Sequence, residues 1–288
     1  MLKKTGKSFD VLLPNQQVAN CFARGNIKTL ANLQAGDHVE LAANGNGYVV
    51  QKLLPRKNQL TRPYISNLDQ LVIVVSHLPK PDLLLTDKLL IGCKYHGITP
   101  ILVVNKADTL PPGFYDDILC QYGFAVEHIL LTSAKTGQGV QELKELLSGK
   151  LTAFSGQSAV GKTSLINNFF PNLHLKTDGL SKRIQMGKNT TRDTQIFVAE
   201  NGTLIADTPG FNMLHYEELD PNDLKNYYEE FQNFSHLCYY NNCNHMKENP
   251  TTCAVLQALG ENKINQKRYE RYVELFNSLQ QTWRKKYD

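Results

Sequence analysis

The chain has 288 residues and a net charge of +4, and 41% of its residues are hydrophobic. That length predicts about two domains, and the apolar fraction supports a sizeable core. The sequence contains no run approaching the roughly 18 apolar residues of a membrane span, and Met1–Lys4 lack the apolar stretch of an export signal. We therefore expect a cytoplasmic protein outside membranes, whose six cysteines are thiols or metal ligands rather than disulfides.

Positive charge is concentrated at the two ends of the chain. Residues 1–62 contain nine Lys and Arg against three Asp and Glu, and residues 261–288 contain seven against four. Residues 63–260 contain fifteen against twenty. Because clustered cations attract phosphate backbones, we expect the ends rather than the middle to contact nucleic acid.

Residues 1–62 have the pattern of a small β-barrel. Short strand-like runs separated by turn formers cover Phe9–Leu13, Val18–Ala23, His38–Leu41 and Gly47–Leu53. About five strands in roughly sixty residues predict an OB-like barrel, which commonly binds oligonucleotides, and an SH3-like barrel fits almost as well. Cations suited to an RNA-facing surface are Arg24, Lys28, Arg56, Lys57 and Arg62, although Arg56 and Lys57 also fit the start of a linker.

After the barrel, buried strands alternate with helices. Leu71–Val75 and Ile98–Val104 are continuous apolar runs, and helices are expected over Asp82–Tyr95 and Gln138–Leu147. This alternation predicts a doubly wound α/β domain at residues 63–221, with ligands bound at the carboxyl edge of its sheet.

A phosphate-binding loop follows the apolar run Leu151–Phe154. It matches G-x-x-x-x-G-K-[ST] and consists of Gly156, Gln157, Ser158, Ala159, Val160, Gly161, Lys162 and Thr163, with Ser164 next. In this motif the backbone N–H groups cradle phosphates, Lys162 neutralises the β and γ oxygens, and Thr163 ligates Mg²⁺. A helix expected over Lys162–Phe170 would direct its N-terminus at the phosphates.

Two further motifs predict guanine recognition. The N-K-x-D box consists of Asn105, Lys106, Ala107 and Asp108, and the box that backs the base consists of Ser133, Ala134 and Lys135. The Asp108 carboxylate can accept hydrogen bonds from the N1–H and the exocyclic amine of guanine. Adenine has no donor at that position and would leave the carboxylate unpaired.

The remaining motifs concern the γ-phosphate. Asp207–Gly210 matches D-x-x-G, in which Asp207 holds Mg²⁺ through water and Gly210 donates a backbone N–H to the γ-phosphate. Thr190 or Thr191 should close over Mg²⁺ when GTP is bound, and the sequence leaves open which one does. The expected hydrolytic residues are Lys162, Thr163, Thr190, Thr191, Asp207 and Gly210. Phe211 stands where Ras-like enzymes carry the glutamine that orients water, so another group must complete the site.

The order of these boxes identifies a circular permutation. In ordinary GTPases the phosphate loop precedes the guanine boxes, whereas here residues 105–108 and 133–135 precede residues 156–163. Because all the boxes lie on loops at one sheet edge, recutting the chain elsewhere preserves their arrangement in space. The sequence therefore predicts a circularly permuted P-loop GTPase domain.

Residues 222–288 carry a candidate zinc motif. Cys238-x₄-Cys243-x-His245-x₇-Cys253 provides three thiolates and one imidazole, a set suited to one structural Zn²⁺. A helix expected over 262–286 could pack on this unit or present cations to RNA, and we expect both. Its interleaved basic and aromatic residues are Lys267, Arg268, Tyr269, Arg271, Tyr272, Phe276, Trp283 and Arg284.

The succession of barrel, permuted GTPase boxes, C-x₄-C-x-H…C motif and basic helix closely resembles the ribosome small subunit-dependent GTPase A (RsgA) family of bacteria. The resemblance covers essentially the whole chain. It implies an OB-fold domain, a permuted GTPase core, a zinc-finger domain and a role in late maturation of the small ribosomal subunit. It also implies that Asn105–Asp108 and Gly156–Ser164 bind GTP and that Cys238, Cys243, His245 and Cys253 bind zinc.

The chain departs from the family pattern at three places. Asn189 replaces the histidine of the G-R-H-T-T switch segment, so no catalytic role of that histidine can be transferred. Ala159 replaces a glycine of the phosphate loop, which should be tolerated if residue 159 keeps a negative φ. The stretch from His245 to Cys253 is two residues longer than expected, which lengthens one loop.

The function expected from this sequence is Mg²⁺-dependent GTP hydrolysis stimulated by the small ribosomal subunit and its rRNA, by a monomer that uses GTP, GDP, Mg²⁺ and one Zn²⁺. A second hypothesis is a GTP-switched RNA-binding assembly factor that acts sterically, with slow hydrolysis as a timer. An ATP-dependent RNA kinase or ATPase is disfavoured by Asp108.

Overall fold

The computed structural model describes residues 1–5, 8–23, 33–45, 47–170, 194–199, 202–208, 211, 214–216 and 218–287. The expected switch residues Thr190 and Thr191, Asn189, and Gly210 of the D-x-x-G box lie outside these described residues, as do the basic residues Arg24 and Lys28.

The N-terminal part forms a five-stranded sheet with the order β1-β2-β3-β5-β4. Its strands are β1 (Lys3–Thr5), β2 (Ser8–Leu12), β3 (Val18–Ala23), β4 (Val39–Asn44) and β5 (Gly47–Leu53). Neighbouring strands are antiparallel except β3 and β5, which run parallel. Alternate side chains, including those of Phe9, Val11, Cys21 and Val50, point into a small core.

Two of the cations expected to face RNA are instead ion-paired within the protein. Arg56 donates to both carboxylate oxygens of the fully buried Asp37, at 2.6 and 2.8 Å. Lys57 pairs with Asp69. They precede a hairpin of β6 (Gln59–Thr61) and β7 (Tyr64–Ser66). The expectation of an RNA-facing role is wrong for Arg56, because its guanidinium neutralises a buried carboxylate.

The central sheet has six strands in the order β10-β9-β8-β11-β13-β12, and all of them are parallel except the edge strand β12. The strands are β8 (Gln70–Val75), β9 (Thr99–Val104), β10 (Ile129–Leu131), β11 (Leu151–Ser155), β12 (Gln195–Val198) and β13 (Leu204–Asp207). Every residue of β8 and β11 is buried, as expected for interior parallel strands covered on both faces.

Helices cover both faces of this sheet, as predicted for a doubly wound domain. They are α1 (Leu83–His96), α2 (Phe114–Tyr122), α3 (Val140–Leu147) and α4 (Lys162–Asn167). Residues of α1 and α2 share one buried cluster with alternate strand residues, and residues of α3 and α4 share the other. Asp82 caps α1, since its carboxylate accepts the Leu85 N–H, and Gly97 ends it in a left-handed conformation.

The C-terminal part contains α5 (Glu229–Ser235), α6 (Ala254–Gly260) and α7 (Gln266–Tyr287). The last helix starts at residue 266 rather than 262, because Asn262 has a φ of +55° and the Asn265 side chain accepts the Arg268 N–H as a cap. Tyr269 and Tyr272 of α7 donate to the carbonyls of His245 and Asn244. The helix therefore packs on the cysteine-rich unit, as predicted.

A buried charge network joins α7 to the central domain. Arg268 is 1% exposed, pairs with Asp87 of α1 and Glu230 of α5, and lies over the rings of Tyr122 and Tyr228, at 4.9 and 4.6 Å from their centroids. Although burial opposes its charged form, the two carboxylates raise the pKa of Arg268. The expectation that this arginine faces RNA is therefore wrong.

Two further cations of α7 are also ion-paired with the central domain. Arg271 pairs with Asp87 at 2.7 Å, and Lys267 pairs with Asp117 of α2 at 3.0 Å.

Within the described ranges, no helix is long and apolar enough to cross a membrane.

Candidate functional site

The predicted boxes lie at the carboxyl ends of four parallel strands. Residue 105 follows β9, residue 132 follows β10, residue 156 follows β11, and Asp207 ends β13. Because β8 is an interior strand, the guanine boxes lie on one side of it, and the phosphate loop and Asp207 lie on the other. This order spreads the boxes along one sheet edge, as a nucleotide extends from base to phosphates.

Asn105 ties the guanine boxes to the phosphate loop. Its buried side chain donates to the Val160 carbonyl at 2.9 Å and accepts from the Ala134 N–H and the Thr132 hydroxyl, both at 3.2 Å. The Ala107 N–H in turn donates to the Thr132 carbonyl at 3.0 Å. One amide thus fixes three loops that differ widely in sequence position.

Lys106 adds a second tie between these loops. It has a φ of +66°, and its ammonium donates to the carbonyls of Ala159, at 2.8 Å, and Leu78, at 2.7 Å. The two carbonyls belong to the phosphate loop and to the loop after β8, so the lysine holds both against the N-K-x-D box.

Asp108 lies at the sheet edge, where the residue as a whole is exposed although its side chain is only 17% exposed. The Ser133 hydroxyl donates to it at 2.7 Å, and Lys135 lies 3.8 Å away from its other oxygen. The Ser133 hydrogen bond is the main cause that lowers the pKa of Asp108. The two guanine boxes are therefore in direct contact, and the carboxylate is held ionised, as an acceptor must be.

The glycines of the phosphate loop leave room for its neighbours. Gly156 has a φ of +127°, and a Cβ there would lie 2.2 Å from the Val74 carbonyl oxygen. Gly161 has a φ of +99°, and a Cβ there would lie 2.3 Å from Asn105 Nδ2. No side chain fits at either position, so the glycines allow the loop to approach β8 and the guanine box.

Ala159 does not keep the negative φ that was expected. Its φ is +64°, in the left-handed region. In this conformation the Ala159 carbonyl accepts from the Lys106 ammonium. A non-glycine residue in this region costs roughly 1–2 kcal/mol.

Replacing Ala159 by glycine should therefore stabilise the protein by up to about 1 kcal/mol, because glycine's greater freedom when unfolded offsets part of the relieved strain. Urea unfolding measures this change. The control is Ala125→Gly, at a residue without a positive φ, which should destabilise. A loss of stability in both variants would contradict the strain at residue 159.

The Lys162 ammonium lies against its own loop and donates to the carbonyls of Gly156 and Gln157, both at 2.7 Å. Burial lowers its pKa. Phosphate oxygens would compete with these carbonyls for the ammonium N–H donors, and they would provide the negative charge that balances Lys162. Thr163 and Ser164 follow half-buried in the first turn of α4, whereas Ser158 is exposed.

Asp207 lies at the end of β13, beside β11. Burial raises its pKa to about 6, so a nearby cation would favour the ionised carboxylate. Phe211 is 3% exposed, and its side chain belongs to the core beside α1. Its ring is therefore enclosed in the protein interior.

Sequence reasoning missed three residues of this edge. The Thr132 hydroxyl orients Asn105, the Leu78 carbonyl holds Lys106, and the Ser155 hydroxyl donates to the Phe211 carbonyl. Ser155 and Thr132 are next to recognised boxes in the sequence, and this adjacency is the signal that could have identified them. Every residue has a backbone carbonyl, so the sequence does not reveal the role of the one at Leu78.

The four predicted zinc ligands come together in the C-terminal part. The Nδ1 atom of His245 lies 3.2, 3.4 and 3.7 Å from the sulfurs of Cys243, Cys253 and Cys238. The sulfurs of Cys238 and Cys253 are 3.9 Å apart. A tetrahedral zinc site implies S···S near about 3.8 Å and S···N near about 3.6 Å, so the cluster fits this metal. Cys253 belongs to it despite the longer loop.

Burial controls the protonation of this cluster. It raises the pKa of the Cys243 and Cys253 thiols and lowers that of His245 to about 4. The imidazole is therefore neutral at neutral pH and able to ligate a metal, whereas the thiolates require a cation to stabilise them.

Comparisons with known proteins extend over nearly the whole chain. A profile described as RsgA GTPase matches residues 53–217. The small ribosomal subunit biogenesis GTPase RsgA of Thermotoga petrophila is 36% identical over 270 residues, which cover 90% of this chain and 88% of the relative. The RsgA protein of Agathobacter rectalis is 36% identical over 265 residues, with 90% and 85% covered.

Two solved structures share the fold. YjeQ from Thermotoga maritima gives a TM-score of 0.83 at 32% identity, with 96% of each chain covered. YloQ, a circularly permuted GTPase, gives 0.80 at 28% identity, with 97% of this chain and 93% of that one covered. The circular permutation predicted from the order of the boxes is confirmed.

Proposed function

Because the chain belongs to the RsgA GTPase family, a family of GTP-hydrolysing enzymes, we propose that it acts in late maturation of the small ribosomal subunit and that the subunit stimulates its hydrolysis. The observation that carries this proposal is the placement of the guanine boxes, the phosphate loop and Asp207 at one sheet edge, where Asn105 and Lys106 join the guanine boxes to the phosphate loop. The relatives' names, which specify small ribosomal subunit biogenesis, support the cellular role.

In this proposal each box has one task. Asp108 accepts hydrogen bonds from the guanine edge, residues 133–135 lie behind the base, and the N–H groups of residues 156–164 donate to the phosphates. Lys162 exchanges its loop carbonyls for β and γ oxygens. Thr190, Thr191 and Gly210 complete the γ-phosphate site.

Mg²⁺ fits the residues beside the phosphate loop. Thr163 offers a hydroxyl from the first turn of α4, which follows β11, and Asp207 offers a carboxylate at the end of the neighbouring strand β13. Hard oxygen donors suit this ion. When bound, Mg²⁺ would neutralise charge on the phosphate oxygens. A cation would also favour the ionised form of Asp207.

Intrinsic hydrolysis should be slow. The Phe211 ring is buried and cannot orient water, and Asn189 stands at the histidine position of the switch segment. A partner that supplies the missing group in trans can accelerate such a reaction by roughly 10³–10⁵-fold. We assign that role to the subunit.

RNA contact is assigned to the two ends of the chain, in a monomer with domains at 1–62, 63–221 and 222–288. The strand order β1-β2-β3-β5-β4, with β3 and β5 parallel, supports an OB-type barrel. Exposed cations that remain available include Arg62 and, near the end of α7, Arg284 and Lys285. The cysteine cluster would hold one structural Zn²⁺, and the cytoplasm is the proposed location.

The experiment is GTP turnover with and without purified small subunits over a salt series. We expect stimulation that falls as salt rises, because phosphate contacts release counterions, while basal turnover changes little. Arg284→Gln combined with Lys285→Gln should weaken stimulation and leave basal turnover unchanged. Equal turnover with and without subunits at low salt would refute the stimulation. Binding that blocks subunit assembly without faster turnover would favour the second hypothesis, an assembly factor that acts sterically and uses slow hydrolysis as a timer.

Guanine recognition makes a separate prediction. Asp108→Asn should weaken GTP binding by about 10- to 100-fold, because a charge-assisted hydrogen-bond pair is lost. It should improve the relative binding of xanthosine triphosphate, whose C2 carbonyl can accept from the new amide. Competition binding with GTP, ATP and xanthosine triphosphate checks this. A variant that keeps full GTP preference would show that Asp108 does not read the base.

A further inference from the structure

A buried hydroxyl joins the strand that enters the phosphate loop to the residue that follows the D-x-x-G box. Ser155, the last residue of β11, is fully buried, and its hydroxyl donates to the Phe211 carbonyl at 2.5 Å. Gly156 follows one partner in the sequence and Gly210 precedes the other. The bond therefore links the two segments proposed to hold the γ-phosphate.

Helix α1 holds the same segment from the side of the core. A Cβ at Gly92 would lie 2.3 Å from the Leu214 Cβ, so the helix and the segment are in close contact. The His96 Nε2 lies 2.8 Å from the His215 carbonyl oxygen. Packing thus holds the Leu214 side chain against α1, and the Ser155 hydroxyl adds a directional contact to the backbone at residue 211.

We infer that Ser155 is a positioning residue for GTP hydrolysis, which keeps the backbone after the D-x-x-G box in register with the phosphate loop. The inference rests on the proposed γ-phosphate role of Asp207 and Gly210. Because the Phe211 ring cannot orient water, alignment depends on the backbone. A displacement of about 1 Å can cost about 100-fold in rate, and loss of one hydrogen bond should cost roughly tenfold.

The same strand offers a matched control. Thr152 is also fully buried, and its hydroxyl donates to Gln70 Oε1 at 3.3 Å. Successive side chains of a strand point to opposite faces, so residues 152 and 155 lie on opposite faces of β11. Thr152→Val removes a buried hydroxyl from this strand without touching the D-x-x-G segment.

The test compares the full-length wild type, Ser155→Ala, Ser155→Thr and Thr152→Val in single-turnover GTP hydrolysis, GDP binding and thermal unfolding. We expect Ser155→Ala to lower the single-turnover rate roughly tenfold and to keep GDP affinity within about twofold, because GDP lacks the γ-phosphate. Ser155→Thr retains the hydroxyl and should keep most of the rate. Thr152→Val should hydrolyse like the wild type even if it unfolds at a lower temperature.

Equal rates for Ser155→Ala and Thr152→Val would overturn the inference, as would a faster Ser155→Ala. A proportional loss of GDP affinity in Ser155→Ala would also overturn it, because a general distortion of the loop would then explain the slower rate. The proposed function fails on a different comparison, wild-type turnover with and without subunits, so the two failures are distinguishable.

Discussion

Arg268→Met should lower the free energy of unfolding by about 3–5 kcal/mol, because it removes the arginine paired with the buried Glu230 and leaves the buried Asp87 with Arg271 alone as its ion-pair partner. Asp87 is fully buried and Glu230 is 6% exposed, and Arg268 pairs with both. Folded proteins are stable by only about 5–15 kcal/mol, so this change removes a large part of the total.

The matched control is Arg284→Met, the same substitution at an exposed position of α7, which should change stability by less than about 0.5 kcal/mol. Urea unfolding followed by the fluorescence of the sole tryptophan, Trp283, reports on α7 directly. If the two variants unfolded at the same urea concentration, the network would contribute nothing measurable. Arg268→Met should also separate the transitions of the C-terminal part and the central domain.

Cys238→Ser combined with Cys243→Ser should abolish zinc binding and unfold the C-terminal part. Structural zinc contributes roughly 10–16 kcal/mol of apparent binding free energy in zinc-finger peptides, and that energy is coupled to folding. Here Cys243 and Cys253 belong to the same buried cluster as Tyr228, Phe231 and Tyr272, so loss of the metal should loosen the aromatic core as well.

Elemental analysis should find one zinc per wild-type chain and none in the double variant, and limited proteolysis should cleave the variant after about residue 220. Cys120→Ser is the control, because this exposed cysteine on α2 lies outside the cluster. Stoichiometric zinc in the double variant would eliminate the assigned site. Chelation of the wild type should reproduce the proteolysis pattern of the variant.

The box positions could be predicted from the sequence because each box is a local signal. The phosphate loop, the N-K-x-D box and the zinc ligands are each defined by residue types at short spacing, and their physical requirements act over a few residues. The strands before Asn105 and Gly156 were visible as apolar runs, since interior parallel strands are buried on both faces. Helix ends were less accurate, as at Asn265, because side-chain caps decide them.

By itself, the sequence determined the permuted GTPase, the cysteine-rich unit and most of the candidate ligands, because continuous segments carry those patterns. Only the tertiary structure decided which cations are available to partners. Arg268 is paired with Asp87, which is 181 residues away in the sequence, and Arg56 is paired with Asp37. Contrary to expectation, neither arginine presents its charge to solvent. The Ala159 carbonyl accepts from Lys106, 53 residues away, and the Ser155 hydroxyl donates to a carbonyl 56 residues away. Such contacts follow from the packing of distant segments, which no local pattern encodes.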